Sequence, residues 1–62
     1  MCLATAYGKE GNEGSVIAKS VVKIDLEGDN IYLTDIMGNK IKVAGTLLSI
    51  DMMENSVTID VA

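Results

Sequence analysis

The sequence predicts an all-β protein, a small antiparallel barrel of five or six short strands. Apolar and polar residues alternate with a period of two in several windows, which is typical of half-buried strands. Clusters rich in Gly, Asn and Asp separate these windows at a spacing of about 8–12 residues, as in small barrels and sandwiches. No window carries a convincing apolar stripe at helical spacing over three turns.

The clearest window is residues 22–27, where apolar and charged residues alternate without exception. Gly28, Asp29 and Asn30 follow it and favour a tight hairpin, because these residues tolerate positive φ. Gly45 indicates a bend or bulge. The other predicted strands share the same alternation and cover residues 2–7, 31–35, 40–43, 48–52 and 57–61.

The parity of this alternation predicts which side chains form the core. The charged residues of the strands fall on the opposite parity and are expected to face water, as at Lys23, Asp25, Glu27, Lys42, Asp51 and Asp60. The predicted inward set is Val22, Ile24, Leu26, Ile31, Leu33, Ile41, Val43, Leu48, Ile50, Met52, Val57, Ile59 and Val61.

Composition narrows the functional classes. A chain of 62 residues allows one domain, residues 1–62, with a thin core. It has one cysteine and no histidine, so it can form no intrachain disulfide and no imidazole-based site. The net charge of −4 and the absence of arginine disfavour nucleic acid as a partner. With no acid–base constellation present, we expect no enzymatic activity.

The chain is expected to be cytoplasmic. Residues 1–7 lack the basic region of a signal peptide. No apolar run approaches the roughly 20 residues of a membrane-spanning helix. A lone thiol suits a reducing compartment.

Three candidate sites are better explained as turns, loops or strand residues without a functional role. Residues 25–30 crowd three carboxylates, but the bidentate Glu of a calcium loop is missing and a hairpin is favoured. The Gly-rich residues 8–14 lack the Gly-Lys-Ser/Thr ending of a phosphate loop. Met52 and Met53 would point to opposite faces of a strand, with Met52 in the core and Met53 exposed.

Cys2 is the one residue with distinctive chemistry. Its thiolate, its backbone nitrogen and the terminal amine of Met1 lie within two adjacent five-membered chelate rings. Such a planar set of nitrogen and sulfur donors suits Ni(II) or Cu(II). The residues alone leave a second interpretation open, in which Cys2 is a small apolar residue of the first strand.

The sequence resembles the CooT family of small nickel-binding proteins. The opening Met1-Cys2-Leu3-Ala4 is similar to that of the family, as are residues 26–38, which read Leu-Glu-Gly-Asp-Asn-Ile-Tyr-Leu-Thr-Asp-Ile-Met-Gly. Val43-x-Gly45, Ile50-Asp51 and the closing apolar strand continue the match. Met37 departs from it, because an aromatic residue is common there, and residues 9–14 form a longer, more Gly-rich loop.

The resemblance implies a fold and a function. The fold would be a small SH3-like barrel similar to the hydrogenase chaperone HypC. The function would be that of a metallochaperone that binds Ni(II) through Cys2 and supplies a nickel enzyme such as carbon monoxide dehydrogenase. Homodimers in which two N-termini share the metal are known in the family. In such a dimer the first strand would lie at or near the interface, with Leu3, Tyr7 or Met53 as candidates to line it.

Two other functions remain open on the sequence. One is a nucleic-acid-binding barrel, since the family has also been labelled as RNA-binding, although two aromatic residues are too few for a base-stacking platform. The other is a protein-interaction module that binds no metal. A metal titration separates the metallochaperone from both of these alternatives.

Overall fold

Five strands make up the fold. The computed structural model describes residues 3–10 and 13–62, and the strands are β1 (Ala4–Tyr7), β2 (Val16–Glu27), β3 (Asn30–Asp35), β4 (Lys40–Asp51) and β5 (Ser56–Val61). The helical structure in these residues is a single 3₁₀ turn at Glu13–Ser15. The all-β prediction is confirmed.

The strands close into a barrel in the order β1-β2-β3-β4-β5. Four of the neighbouring pairs are antiparallel, and the pair that closes the ring, β1 with β5, is parallel. The first half of β2 pairs with β1 and its second half with β3, while β4 is shared in the same way between β3 and β5. Two long, bent strands therefore connect the parts of the barrel.

The lengths of β2 and β4 differ from the prediction. The sequence indicated a strand over residues 22–27, whereas β2 begins at Val16. It also indicated separate strands over residues 40–43 and 48–52, but these belong to one strand of 12 residues. A bulge is absent at Gly45, because this residue stays in the ladder opposite Val61.

Four irregularities change the parity of the long strands. At the start of β2, Tyr7 pairs with Val16 and Ala6 with Ala18, so one extra residue lies between Val16 and Ala18. In β2, Ala6 pairs with Ala18 and Ala4 with Val21, so one extra residue lies between them, and Ser20 there has a φ of 57°. The pairing with β3 shifts again between Val21 and Lys23. In β4 the shift falls between Leu47 and Ser49. Each extra residue of a bulge reverses the side-chain alternation beyond it.

The core is a single cluster of buried apolar side chains. Of the predicted inward set, five residues are buried and Ile24 packs against them half-buried; the five are Ile31, Leu33, Val43, Val57 and Ile59. Ala6, Ala18 and Val21 complete the cluster and were not predicted. No charged residue in the described parts of the chain is buried, which agrees with the predicted outward set.

Seven predicted core residues are exposed, namely Val22, Leu26, Ile41, Leu48, Ile50, Met52 and Val61. Val22 and Leu48 are the extra residues of two bulges, and their neighbours Val21 and Leu47 lie inward instead. Met52 lies in a turn beyond β4. None of the other four is the extra residue of a bulge, and they are exposed because so small a barrel has too few residues to cover its ends.

Gly45 allows a close approach between β4 and β5. A Cβ at this position would collide with the backbone carbonyl oxygen of Asp60 and lie 3.1 Å from the Cα of Val61. The Gly45 N–H also donates to the carbonyl of Asp29 at 2.9 Å, which ties β4 to the preceding hairpin. Glycine is therefore required here by space rather than by φ.

We expect Gly45→Ala to lower the free energy of unfolding by about 1–3 kcal/mol, because backbone atoms must move to admit the methyl group. Thr46→Ala, at the exposed neighbouring position, should change it by no more than about 0.5 kcal/mol. Urea denaturation of both variants measures the difference. Equal stability of the two variants would contradict the close approach.

Within residues 3–10 and 13–62, no helix has the length and apolar character that crossing a membrane requires.

Candidate metal centre

The two predicted metal ligands, Met1 and Cys2, lie outside the described residues. The structure does fix the chain immediately after them. Leu3 is exposed, and Ala4 begins β1 opposite Val21. Thr5 is anchored twice, since it pairs with Ser56 and its N–H donates to the carbonyl of Asn55 at 2.9 Å. The barrel therefore holds the base of the N-terminal segment in a defined position.

An apolar groove lies beside the start of β1. Its volume is about 240 Å³, and Ala4, Val21 and Val57 contribute to its lining from the barrel. Val22, Ile24, Ile50, Met52 and Lys23 complete the lining. Several of these side chains are exposed members of the predicted core. Any partner that meets the N-terminal end of β1 meets this apolar surface as well.

No alternative metal cluster is present in the described parts of the chain. Among these residues, no three His, Cys, Asp or Glu side chains come together in a way that could hold an ion. The carboxylates predicted to face water are spread over the barrel surface, and Asp25 forms an exposed ion pair with Lys23 at 3.7 Å.

The hairpin interpretation of residues 25–30 is confirmed. Glu27 pairs with Asn30, which leaves Gly28 and Asp29 as the two central residues of the turn. Gly28 has a φ of 60°, the positive value expected for glycine at the first position of a type II′ turn. These residues connect β2 to β3.

The loop after β1 is described in part. Gly8 donates to the carbonyl of Ser15 at 2.7 Å, which ties the two ends of the loop together. Residues 11 and 12 lie outside the described residues, as does the side chain of Glu13.

Met52 and Met53 both lie in the turn between β4 and β5, and both are exposed. The prediction of an exposed Met53 is confirmed, and that of a buried Met52 is wrong. The reason is that β4 ends at Asp51, so strand parity no longer orients either side chain.

The turn between β3 and β4 is organised by Asp35, which the sequence analysis did not single out. One carboxylate oxygen, Oδ1, accepts from the N–H groups of Met37 and Asn39, each at 2.9 Å. The other, Oδ2, accepts from Nδ2 of Asn39 at 3.2 Å. The order Asp-Ile-Met-Gly-Asn was a readable sign of this arrangement, because Asp caps turns through its own side chain.

These hydrogen bonds give the turn a pH dependence. The backbone N–H of Asn39 is the main reason that the pKa of Asp35 lies below its ordinary value of 3.8. A lowered pKa in the folded state stabilises the turn above the unfolded value, and this contribution is lost as the pH falls through the folded value.

We expect the amide signals of Met37 and Asn39 to titrate with a midpoint below 3.8 in an NMR pH series. In Asp35→Asn this transition should disappear, since the amide oxygen does not ionise. A midpoint at or above 3.8 in the unaltered protein would show that the carboxylate does not accept these bonds.

A match to a protein-family model identifies the family of this chain. The family model described as CO dehydrogenase accessory protein CooT matches residues 1–60, and this segment includes Met1 and Cys2. The chain belongs to the CooT family. The resemblance predicted from the sequence is thereby confirmed, and the family's description as an accessory protein agrees with the prediction of a non-catalytic role. No curated protein matches this CooT-family chain.

The fold of this CooT-family protein is shared by a solved structure. A crystal structure assigned as a CooT from Carboxydothermus hydrogenoformans superposes with a TM-score of 0.84. The match covers 98% of each chain at 15% sequence identity. At that identity the likeness concerns the fold, and it shows that the whole barrel is common to both proteins.

Proposed function

We propose that this protein binds Ni(II) through Cys2 and supplies it to a nickel enzyme, with carbon monoxide dehydrogenase as the client. One observation carries the proposal: the match to a family of CO dehydrogenase accessory proteins extends over residues 1–60 and so includes the single cysteine of the chain. Nickel is here the cargo of the protein rather than a resident cofactor.

The donor chemistry around Cys2 supports nickel as the cargo. A thiolate, the backbone nitrogen of Cys2 and the amine of Met1 can occupy three positions of a square plane, the geometry that Ni(II) accepts readily and Zn(II) does not prefer. The described residues offer no competing cluster of His, Cys, Asp or Glu side chains. Selectivity would therefore depend on the N-terminal donors.

A terminal site also suits transfer. Ligands of the client can replace those of the donor one at a time when the site is open on one side. The closed barrel contributes a rigid base, because β1 is held between β2 and β5 immediately after the proposed ligands. The barrel would then present the metal and contact the client.

A homodimer would complete the coordination plane with a second thiolate. Leu3 and Met53, two of the residues predicted to line such an interface, are exposed, and Tyr7 is half-buried. The apolar groove beside β1 adds surface that pairing could cover. In this arrangement the two N-termini and the shared metal would lie together.

Native mass spectrometry during a nickel titration tests the proposal. We expect saturable binding of either one nickel per chain or one nickel per pair of chains, and the mass reports which of the two forms. Zn(II) at the same concentration should bind more weakly. A protein that takes up no nickel at concentrations well above its own would overturn the metallochaperone function and leave the interaction module.

A further inference from the structure

The turn between β3 and β4 presents two large apolar side chains to solvent. Ile36 is 53% exposed and Met37 is 81% exposed. Single exposed apolar residues are common on protein surfaces, but two at the tip of one turn form a compact apolar projection. The nickel site proposed above makes no use of it.

This projection is held in one conformation. The Asp35 side chain accepts from three donors of the turn, as described above. In the backbone, Asp35 donates to the carbonyl of Asn39 at 2.9 Å and Gly38 donates to that of Asp35 at 3.0 Å. The Ile36 N–H donates to the carbonyl of Ser20 at 2.9 Å, which ties the turn to β2. A tip fixed in advance loses little conformational entropy on binding.

Three of the five lysines lie beside the base of this turn. Lys40 and Lys23 are the cross-strand partners of Thr34, the residue before Asp35, and Lys42 is the partner of Tyr32. Directly opposite residues in a sheet lie about 5 Å apart, so Lys23 and Lys40 lie on either side of Thr34, roughly 10 Å from each other. Lys42 is two residues from Lys40 on the same face of β4. Asp25 pairs with Lys23 at 3.7 Å, and because this ion pair is exposed and weak, a carboxylate of the partner can replace Asp25. Asp35 accepts bonds within the turn, and Glu27 lies farther along β2, opposite Asn30.

A second turn of similar design carries the opposite charge. Between β4 and β5, Oδ1 of Asp51 accepts from the N–H groups of Met53 and Glu54 at 3.0 and 3.1 Å. Met53 is 96% exposed, so an apolar tip is again held by an Asp side chain. Glu54 lies beside this tip, whereas lysines lie beside the first. A partner could therefore tell the two tips apart by charge.

We propose that the 35–39 turn, together with Lys23, Lys40 and Lys42, is a docking surface for a protein partner that offers an apolar pocket rimmed by carboxylates. Met37 and Ile36 enter the pocket, and the lysines face its acidic rim. Buried apolar anchors supply most of the affinity of such interfaces, and the charged rim supplies orientation and association rate. The inference relies on the proposed function only for the choice of carbon monoxide dehydrogenase as the probe.

The test measures binding of immobilised, nickel-free carbon monoxide dehydrogenase to the full chain by biolayer interferometry. Met37→Ser should weaken binding by roughly tenfold, the cost of truncating an interface anchor. Lys40→Glu should weaken it by about tenfold at low salt and by less at high salt, because salt screens the rim. Met53→Ser and Lys9→Glu are the matched controls, and each should stay within about twofold of the unaltered chain.

Three results would overturn the docking surface: no binding by the unaltered chain, equal losses in Met37→Ser and Met53→Ser, or a change in self-association caused by Met37→Ser. Binding of a single-stranded oligonucleotide that Lys40→Glu abolishes would also count against it. Cys2→Ser, measured in parallel, should dock normally. A chain that docks without binding nickel supports the docking surface independently of the nickel site. A chain that binds nickel without docking supports only the proposed function. The two proposals can therefore fail separately.

Discussion

Cys2→Ser is expected to abolish tight nickel binding while leaving the barrel folded. A serine hydroxyl stays protonated at neutral pH and is a poor ligand for Ni(II), whereas the thiolate is both anionic and polarisable. We expect the affinity to fall by more than about a hundredfold, above the loss usual for an outer-shell partner. Competition with a chelator measures the affinity, and the thermal midpoint checks the fold.

The fold should survive because the core does not include this position. The buried cluster runs from Ala6 to Ile59 and consists of apolar side chains on the five strands. Met37→Ser serves as the control for nickel binding, since it removes an exposed sulfur from a turn that neither the proposed metal site nor the proposed dimer interface uses. This variant should bind nickel as the unaltered chain does. If Cys2→Ser also binds normally, the thiolate is not a ligand and the proposal fails.

Two further measurements assign the donors. Binding should release protons and weaken as the pH falls, because the thiol and the amine must both lose a proton to coordinate. A short peptide added before Met1 keeps the thiol but removes the amine from the chelate. Unchanged affinity in the extended protein would exclude the amine, and the metal would then be held by two thiolates or by Cys2 and backbone nitrogens.

The sequence predicted the class of the fold correctly because the period of two extends over most of the chain. Residues 31–35 and 57–61 are short strands without bulges, and the inward parity assigned to Ile31, Leu33, Val57 and Ile59 is confirmed. The turn residues were equally informative. Gly28 has a positive φ in the hairpin predicted at residues 28–30.

The errors concentrate in the two long strands, where the sequence is ambiguous. Val21-Val22 and Leu47-Leu48 each offer two apolar residues in succession, and either member could lie inward. The bulges place Val21 and Leu47 inward. The register of β2 is set by its pairing with β1 and β3, and that of β4 by its pairing with β5. Alternation within one strand cannot show a constraint that its neighbours impose.

Cys2 and the turn at residues 35–39 differ in how far the sequence predicted them. Cys2 was identified by its chemistry and by resemblance, and the family match includes it, but the proposed metal ligands lie outside the described residues. The exposed turn at residues 35–39 was not identified as a site from the sequence, which assigned Asp35 to the strand over residues 31–35. Its character became visible only when the pairing of β3 with β2 and β4 placed Lys23, Lys40 and Lys42 beside it.

The corrected core predicts a large difference between residues that look alike in the sequence. Leu33→Ala and Ile59→Ala should each lower the free energy of unfolding by about 2–5 kcal/mol, because both side chains are at most 1% exposed and truncation leaves a cavity. Ile50→Ala and Leu48→Ala should cost less than about 1 kcal/mol, since both side chains are about half exposed and much of each already contacts water.

Urea denaturation at fixed pH measures all four variants. The free energy of unfolding of so small a domain is only a few kcal/mol. The two core variants can therefore be too unstable to show a folded baseline. Ile59→Val is the milder variant for that case. Removal of one methylene group should lower the free energy of unfolding by about 0.5–1.5 kcal/mol. If Leu48→Ala destabilised the barrel as much as Leu33→Ala, Leu48 would face the core and the bulge there would be wrong. A loss of that size in Ile50→Ala would show that this side chain is buried.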